Sequence, residues 1–148
     1  EHAGGVQGQR QRAGKRAEAG GDQQQRGPYE LGDRAQSVEH EASRRAGERA
    51  EVAKNYDLAV VEYTKAARAD PNDTEARLAL ERARLRAAQE HAFRARTLAG
   101  AERYEEALGE YQIASELNPS DALVNEALRE TRQKLWSRSA PGSAGRWL

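Results

Sequence analysis

The side chains that most often bind metals or carry out acid–base chemistry are few in this sequence and lie far apart. Its 148 residues include three histidines, His2, His40 and His91, and no cysteine. Transition-metal sites need several ligands at short spacings, such as two histidines one helical turn apart. No pair of these histidines has that spacing, so the sequence predicts no metal site. We interpret His91 as a half-buried packing residue on a helix.

Carboxylates and glycines give no better indication of catalysis. Glu81, Glu105 and Glu106 fall on predicted helix surfaces and are interpreted as solvated charges, because paired catalytic carboxylates need a pocket. The glycine pairs at 4–5 and 20–21 match no phosphate-binding loop. The serines are scattered, with no arrangement that resembles a catalytic triad. The sequence therefore predicts a protein that is not an enzyme and that binds no cofactor.

Arginines are concentrated in one segment and raise the question of phosphate binding. A stripe of arginines along a helix can bind nucleic acid. Here glutamates alternate with the arginines and aromatic residues do not, so a solvated helix face is favoured over nucleic-acid binding. The arginines concerned are Arg77, Arg82, Arg84, Arg86, Arg94 and Arg96.

The composition limits which elements can position these residues. Acidic and basic residues balance at 24 each, so no overall charge steers the chain to nucleic acid or an anionic membrane. The mean hydropathy of −1.00 is low for a globular domain, and no apolar run approaches the length of a transmembrane helix. Because the chain starts at Glu1 and contains no methionine, we expect it to be a fragment or a processed chain.

The types of residue present divide the chain into three regions. Residues 1–38 are rich in Gly, Gln and Arg and are predicted to be a flexible leader, because they cannot bury enough apolar surface to become ordered. Residues 39–136 are dominated by helix-forming Ala, Leu, Glu and Arg and are predicted to be the folded domain. Residues 137–148 are predicted to be a disordered tail.

Two proline turns divide the folded region into helices. Residues 70–73 (Asp-Pro-Asn-Asp) and 118–121 (Asn-Pro-Ser-Asp) share the same chemistry: proline ends one helix and a polar side chain caps the next. In the first turn, Asn72 and Glu75 resemble a capping box. The predicted helices span about 40–53, 56–69, 74–99, 104–117 and 121–136.

An internal repeat accompanies these turns. The pattern Tyr-x-x-Ala-x-x-x-Tyr-x-x-Ala-x-x-x-x-Pro occurs twice, once from Tyr56 and once from Tyr104. Its alanines are seven residues apart, on one face of a helix, where they allow a neighbouring helix to approach closely. The second tyrosine of the pattern fills the gap between helices. We call the distance along the chain from Tyr56 to Tyr104 the repeat offset.

This frame resembles the tetratricopeptide repeat family, in which pairs of helices stack into a curved surface. The alignment places Gly47 and Ala95 at the small position of each first helix. Ser43 and His91 stand where the family usually has tryptophan, so packing of the first helices departs from its pattern. The resemblance implies an all-α fold: two tetratricopeptide-like helical hairpins joined by one long shared helix, with a C-terminal capping helix.

The long shared helix accounts for an unusually large repeat offset. Tetratricopeptide arrays repeat about every 34 residues. The surplus in this chain lies in residues 74–87, a segment close to four helical turns in length. Two apolar stripes on this helix are expected to pack on both hairpins. One consists of Ala76, Leu80, Ala83 and Ala87, and the other of Leu78, Leu85, Ala92 and Ala99.

In the family, the first helix of each hairpin lines the concave, partner-binding side. The residues that this implies are Arg44, Arg45, Glu48, Gln89, Phe93 and Arg96. Phe93 is either an apolar anchor for a partner or a core residue between helices, and the sequence leaves both interpretations open. The family's Lys/Asn clamp for terminal carboxylates is replaced by Arg44 and Glu48, so no binding of chaperone tails is expected.

A second pattern consists of residues 82–87, Ala88, His91, Arg94, Tyr104, Ala107, Leu108 and residues 117–120. This pattern resembles the tetratricopeptide region of bacterial secretins, outer-membrane proteins of secretion and pilus machines. It covers about residues 43–135, and the ring-forming domains are absent. The first function predicted is a non-catalytic scaffold that binds an unidentified protein or peptide. The alternatives are an assembly segment of an envelope secretion or pilus complex, and a weak nucleic-acid binder.

Self-association is also expected, because two hairpins fall short of the three repeats that a stable array usually needs. The compartment would be the bacterial envelope or periplasm under the secretin resemblance, and the cytoplasm otherwise.

Overall fold

The described structure is a chain of α-helices connected by short turns. It is a computed structural model that describes residues 28–139, and no strand occurs in that range. The predicted all-α class is therefore confirmed. The helices are α1 (Pro28–Val52), α2 (Tyr56–Ala69), α3 (Thr74–Gly100), α4 (Tyr104–Leu117) and α5 (Ala122–Ser139).

The two ends of the helical region differ from the predicted domain limits. Residues 28–38, assigned to the flexible leader, are the first turns of α1. Pro28 is the first residue of that helix, where its fixed φ and missing N–H are no disadvantage. Residues 137–139, assigned to the tail, complete α5. The rest of the leader and tail, residues 1–27 and 140–148, lie outside the described range.

Aspartates at the ends of the proline turns begin the next helices. Asp73 Oδ1 accepts a hydrogen bond from the Ala76 N–H at 3.0 Å, and Asp121 Oδ1 accepts one from the Val124 N–H at 3.1 Å. The predicted capping box at Asn72 is wrong: the Asn72 N–H donates to Asp70 Oδ1 within the turn. The last residue of each turn is better placed because its carboxylate reaches the free N–H groups of the first helical turn.

The other two turns, which follow α1 and α3, also share one geometry. Lys54 and Glu102 adopt left-handed φ values of 57° and 61°. The next residue in each turn donates its N–H to the carbonyl five residues earlier, as in the Schellman motif that ends many helices. These bonds run from Asn55 to Ala50 at 2.9 Å and from Arg103 to Leu98 at 3.0 Å. Both kinds of turn therefore recur at the repeat offset.

Each helix packs on the next along the chain. Two tyrosines, Tyr63 on α2 and Tyr111 on α4, are each buried in a cluster made mainly of alanines. Alanine occupies most buried positions because it lets helix backbones approach closely. The buried residues of the first cluster are Ala50, Ala59, Tyr63, Ala79 and Ala83, and those of the second are Ala92, Ala95, Tyr111, Ala114 and Val124.

α3 belongs to both clusters, because its two halves bury different faces. Its first half packs through Ala79 and Ala83 in the Tyr63 cluster, and its second half packs through Ala92 and Ala95 in the Tyr111 cluster. The prediction of two apolar stripes on α3 is only partly right. Leu78 and Leu85, placed in the second stripe, are exposed to solvent.

Candidate interaction surfaces

The first open surface is a cleft between α1 and α3, which we call the α1–α3 cleft. Its volume is about 440 Å³. Tyr63 of α2 contributes to its lining, and the Tyr63 hydroxyl donates to Glu51 Oε2 at 2.8 Å. Burial raises the pKa of Tyr63, and the hydrogen bond to Glu51 adds to the rise. The lining residues are Arg44, Glu48, Glu51, Tyr63, Glu75, Leu78, Ala79 and Arg82.

Most charges of the α1–α3 cleft have partners within the chain. Arg44 contacts Glu41 at 3.2 Å, Glu48 at 3.4 Å and Glu75 at 3.8 Å. Hydrogen bonds from Arg45 and then Arg44 lower the pKa of Glu41, and the bond to Glu41 raises the pKa of Arg44. Arg44 is thus shared by three glutamates, and Arg82 is the one charged side chain of this lining that has neither an ion pair nor a hydrogen bond with a described residue.

The second open surface lies beside the turn between α1 and α2, and we call it the Phe93 cleft. It has a volume of about 660 Å³, and α3 supplies most of its lining. Phe93 is 65% exposed, which excludes the interpretation of this residue as a core filler. The lining residues are Lys54, Tyr56, Arg86, Gln89, Glu90, Phe93 and Arg94.

Packing of the second half of α3 explains the exposure of Phe93. That half buries Ala88, His91, Ala92 and Ala95. These positions follow helical spacing on one face, and Phe93 falls beyond the edge of that face. The aromatic ring is therefore left at the surface by the register of the helix.

Charges in the Phe93 cleft are less compensated than those in the first cleft. Within the described range, neither Lys54 nor Arg86 forms an ion pair. The Arg86 guanidinium lies over the Tyr56 ring, 5.9 Å from its centroid, which fixes its position through a cation–π contact. Glu90 is the one carboxylate of the lining. The cleft therefore joins an exposed aromatic ring to available positive charge.

A related cleft of about 350 Å³ occurs at the equivalent position where α4 begins, and an ion pair lies within its lining. Tyr104 replaces Tyr56, and Lys134 and Arg138 lie 6.0 and 5.1 Å from its ring centroid. Arg138 Nη2 contacts Glu102 Oε2 at 2.6 Å, whereas the residue equivalent to Glu102 in the Phe93 cleft is Lys54. The two clefts therefore differ in that Arg138 is paired with Glu102, whereas Arg86 forms no ion pair with a described residue.

His91 holds the two halves of the molecule together beside this cleft. Its ring is buried, and Nε2 lies 3.0 Å from Asp57 Oδ1 of α2 while Nδ1 lies 2.7 Å from Glu110 Oε2 of α4. Arg94 joins the same group, 3.2 Å from Glu110. These contacts link α3 to both α2 and α4. His91 is thus more than the packing residue that its sequence position suggested.

The six residues predicted to line one binding side do not all line the same cleft. Arg44 and Glu48 line the α1–α3 cleft, and Gln89 and Phe93 line the Phe93 cleft. Arg45 is exposed on α1 and is paired with Glu41 at 2.8 Å. Arg96 is exposed on α3 and belongs to neither lining.

Sequence reasoning missed Lys54 and Tyr56 as cleft residues. They come from the turn that precedes α2 and meet α3 only through the fold. The recurrence of a tyrosine at Tyr56 and Tyr104 was the available signal, but its cationic partners lie on later helices of the chain.

Neither a membrane-spanning helix nor a metal cluster is found in the part of the chain that the structure describes. None of the described helices combines the length and apolar character needed to cross a membrane. Among the described residues, no group of three or more His, Asp or Glu side chains is arranged to hold a metal ion. Comparisons with protein-family models, with curated proteins and with solved structures find no match to this chain.

Proposed function

We propose that this protein is a non-catalytic scaffold of the tetratricopeptide type, which binds another protein through open faces of its helices. The observation that carries the proposal is the Phe93 cleft. It presents an exposed aromatic side chain and available cations on a helix that is held on both sides by packed neighbours. Aromatic and arginine side chains in such settings contribute most of the binding energy at many protein interfaces.

Packing around Gly47 supports the tetratricopeptide part of the proposal. A Cβ atom at Gly47 would lie 2.6 Å from Cε1 of Tyr63, so the small residue of α1 accommodates the large residue of α2. Ala95 of α3 and Tyr111 of α4 belong to one cluster in the second half. This pairing of small and large residues on successive helices is what the resemblance implied.

The experiment is a quantitative capture of binding proteins with the full chain. Wild type and Phe93→Ala are immobilised in parallel and the retained proteins are identified by mass spectrometry. Val52→Ala is the matched control, because Val52 is 86% exposed and lines neither cleft. We expect at least one protein to be retained by wild type and Val52→Ala and lost with Phe93→Ala. If every retained protein is held equally by all three, the proposal fails.

A second candidate function is an assembly segment, such as that of an envelope secretion or pilus complex. The observation in its favour is the exposure of Leu123 and Trp136 on α5, the last described helix. Large apolar residues exposed at the end of a helical stack suit contact with another copy or with a neighbouring domain. The candidate predicts self-association, which the solution mass of the full chain tests.

A further inference from the structure

The long helix α3 carries a line of exposed apolar side chains that neither half of the molecule covers. Leu78, Leu85 and Phe93 are 55%, 47% and 65% exposed. They are spaced seven and eight residues apart, so they lie on one side of the helix. From Leu78 to Phe93 this line extends about 22 Å at the rise of an α-helix. It passes from the α1–α3 cleft, lined by Leu78, to the Phe93 cleft.

Three arginines accompany this line on the same side of α3. Arg82, Arg86 and Arg96 are exposed, and none of them forms an ion pair with a described residue. Arg84 and Arg94, which face other directions, are instead paired with Glu81 and Glu110. We call the exposed set the α3 stripe; it consists of Leu78, Arg82, Leu85, Arg86, Phe93 and Arg96.

Acidic groups near the α3 stripe are mostly engaged elsewhere. At its Leu78 end, Glu48 and Glu75 contact Arg44, and Glu51 accepts the hydrogen bond of Tyr63. Glu90, which lines the Phe93 cleft, is different. It forms no ion pair with a described residue, and it is the carboxylate of this kind that lies closest in sequence to the middle of the stripe. The stripe therefore presents apolar contacts with positive charge from Arg86 and Arg96 towards its Phe93 end, while Arg82 lies beside the glutamates of the α1–α3 cleft.

From this arrangement we infer that the α3 stripe docks an amphipathic helix whose apolar face is flanked by glutamates or aspartates. The inference rests on the proposed function and names the chemistry of its partner. Apolar residues at spacings of about seven are what one helix offers another, and the free arginines match acidic flanks. A partner of about four helical turns covers the length of the stripe.

An acidic helix accounts for the stripe better than a nucleic acid does. Phosphates would pair with Arg82, Arg86 and Arg96 but would leave Leu78 and Leu85 in water. Single-stranded nucleic acids bind through bases stacked on several aromatic side chains, and the stripe contains one, Phe93. The leucines therefore distinguish the two partners.

The test uses the full chain and a fluorescein-labelled synthetic helix of about four turns, with leucines on one face and glutamates on both flanks. Binding is measured by fluorescence anisotropy. We expect the double variant Arg82→Gln/Arg86→Gln to weaken binding on the order of tenfold. The control Arg68→Gln/Arg77→Gln removes the same charge from exposed positions outside the stripe and should leave the dissociation constant unchanged. Glu90→Gln should tighten binding.

The leucines provide a second, independent readout. Leu78→Ala/Leu85→Ala should weaken binding of the peptide on the order of tenfold or more, because each truncation removes apolar contact. Circular dichroism checks that each variant keeps its helicity, which these exposed positions should allow. The inference would be overturned if a labelled single-stranded oligonucleotide bound more tightly than the peptide and its affinity were the same for wild type and Leu78→Ala/Leu85→Ala.

Absence of peptide binding would also overturn the inference, but it would leave the proposed function standing if capture of proteins still depended on Phe93. If the peptide does not bind and the capture of proteins does not depend on Phe93, both proposals are rejected. Binding that weakens with the arginine and leucine variants, and not with the control, supports the acidic helix as the partner class.

Discussion

Gly47 and Tyr63 show how one residue pair determines the distance between helices. The Tyr63 ring lies against the backbone of α1 at Gly47, where a Cβ would be 2.6 Å from the ring. Because Tyr63 is among the most buried side chains and is fixed by its bond to Glu51, the ring has little freedom to move aside. Glycine is therefore required here for close approach, although it is a poor helix former.

Replacing Gly47 by alanine should destabilise the fold. Overpacking against Tyr63 costs about 1–3 kcal/mol, which exceeds the gain of about 1 kcal/mol in helix propensity. The control is Gly109→Ala on α4, where a Cβ meets nothing within 4 Å, and it should stabilise by about 0.5–1 kcal/mol. Urea denaturation measures both. Equal effects of the two substitutions would show that the contact with Tyr63 does not constrain α1.

The cap of α3 should make stability depend on pH. The hydrogen bond from the Ala76 N–H lowers the pKa of Asp73 below its ordinary value of 3.8, and His40, whose Nε2 lies 2.8 Å from the carboxylate, adds to the effect. Since the folded state holds the charged form, the contribution is fully present above the ordinary pKa and is lost as the pH falls through the lowered value.

Unfolding in urea at several pH values tests this with Asp73→Asn, which keeps a capping oxygen without the charge. Wild type should be more stable than the variant near neutral pH, and the difference should shrink towards zero in acid. Asp33→Asn, at an exposed position of α1, should show no such trend. A difference between wild type and Asp73→Asn that is the same at every pH would refute the role of the Asp73 charge.

At the scale of elements, α3 is the part that unites the molecule. Its first half completes the cluster around Tyr63 and its second half begins the cluster around Tyr111. Across the middle of this arrangement, His91 contacts α2 through Asp57 and α4 through Glu110. These contacts couple the two halves beyond the continuity of the helix itself.

Replacing His91 by serine, the residue at the equivalent position Ser43 of α1, should uncouple the halves. We expect a loss of about 1–3 kcal/mol, because the substitution removes a buried ring and its contacts with Asp57 and the half-buried Glu110. Hydrogen exchange should show reduced protection in α2 and α4. Gln89→Ser, at an exposed position of α3, is the control. Unchanged stability and exchange in His91→Ser would mean that the ionic contacts contribute nothing to coupling.

Features encoded by local chemistry were predictable from the sequence. The proline turns and the spacing of Ala59, Tyr63 and Ala66 place α2 at the residues that the structure gives. Features that depend on distant residues were not. His91 meets partners 34 and 19 residues away, and spacing along one helix carries no information about them.

The sequence also did not predict which apolar side chains of α3 are exposed. Leu78 and Leu85 have the spacing of a buried stripe, yet they are exposed because α1 and α2 cover the neighbouring face that contains Ala79 and Ala83. A pattern of apolar residues indicates which positions share a side, and the number of available neighbours decides which side is buried. The candidate site was predictable at Phe93 but not at Lys54 or Tyr56.

In the whole molecule, backbone features recur at the repeat offset as the sequence pattern does. Both Schellman turns, both aspartate caps and both tyrosine clusters recur at this offset. The two halves differ in their surfaces, since Arg138 and Glu102 pair in one cleft and the other presents Phe93. The repeated backbone therefore carries two different surfaces.

The most direct test of the proposed function is the solution mass of the full chain, measured by light scattering over a wide concentration range. If the Phe93 cleft and the α3 stripe bind a different protein, wild type and Phe93→Ala should have the same mass at every concentration, either the 16.4 kDa of a monomer or that of an oligomer formed through another surface. An oligomer that forms with concentration and dissociates in Phe93→Ala would contradict this account, because the open surface would then be an interface between copies of the chain.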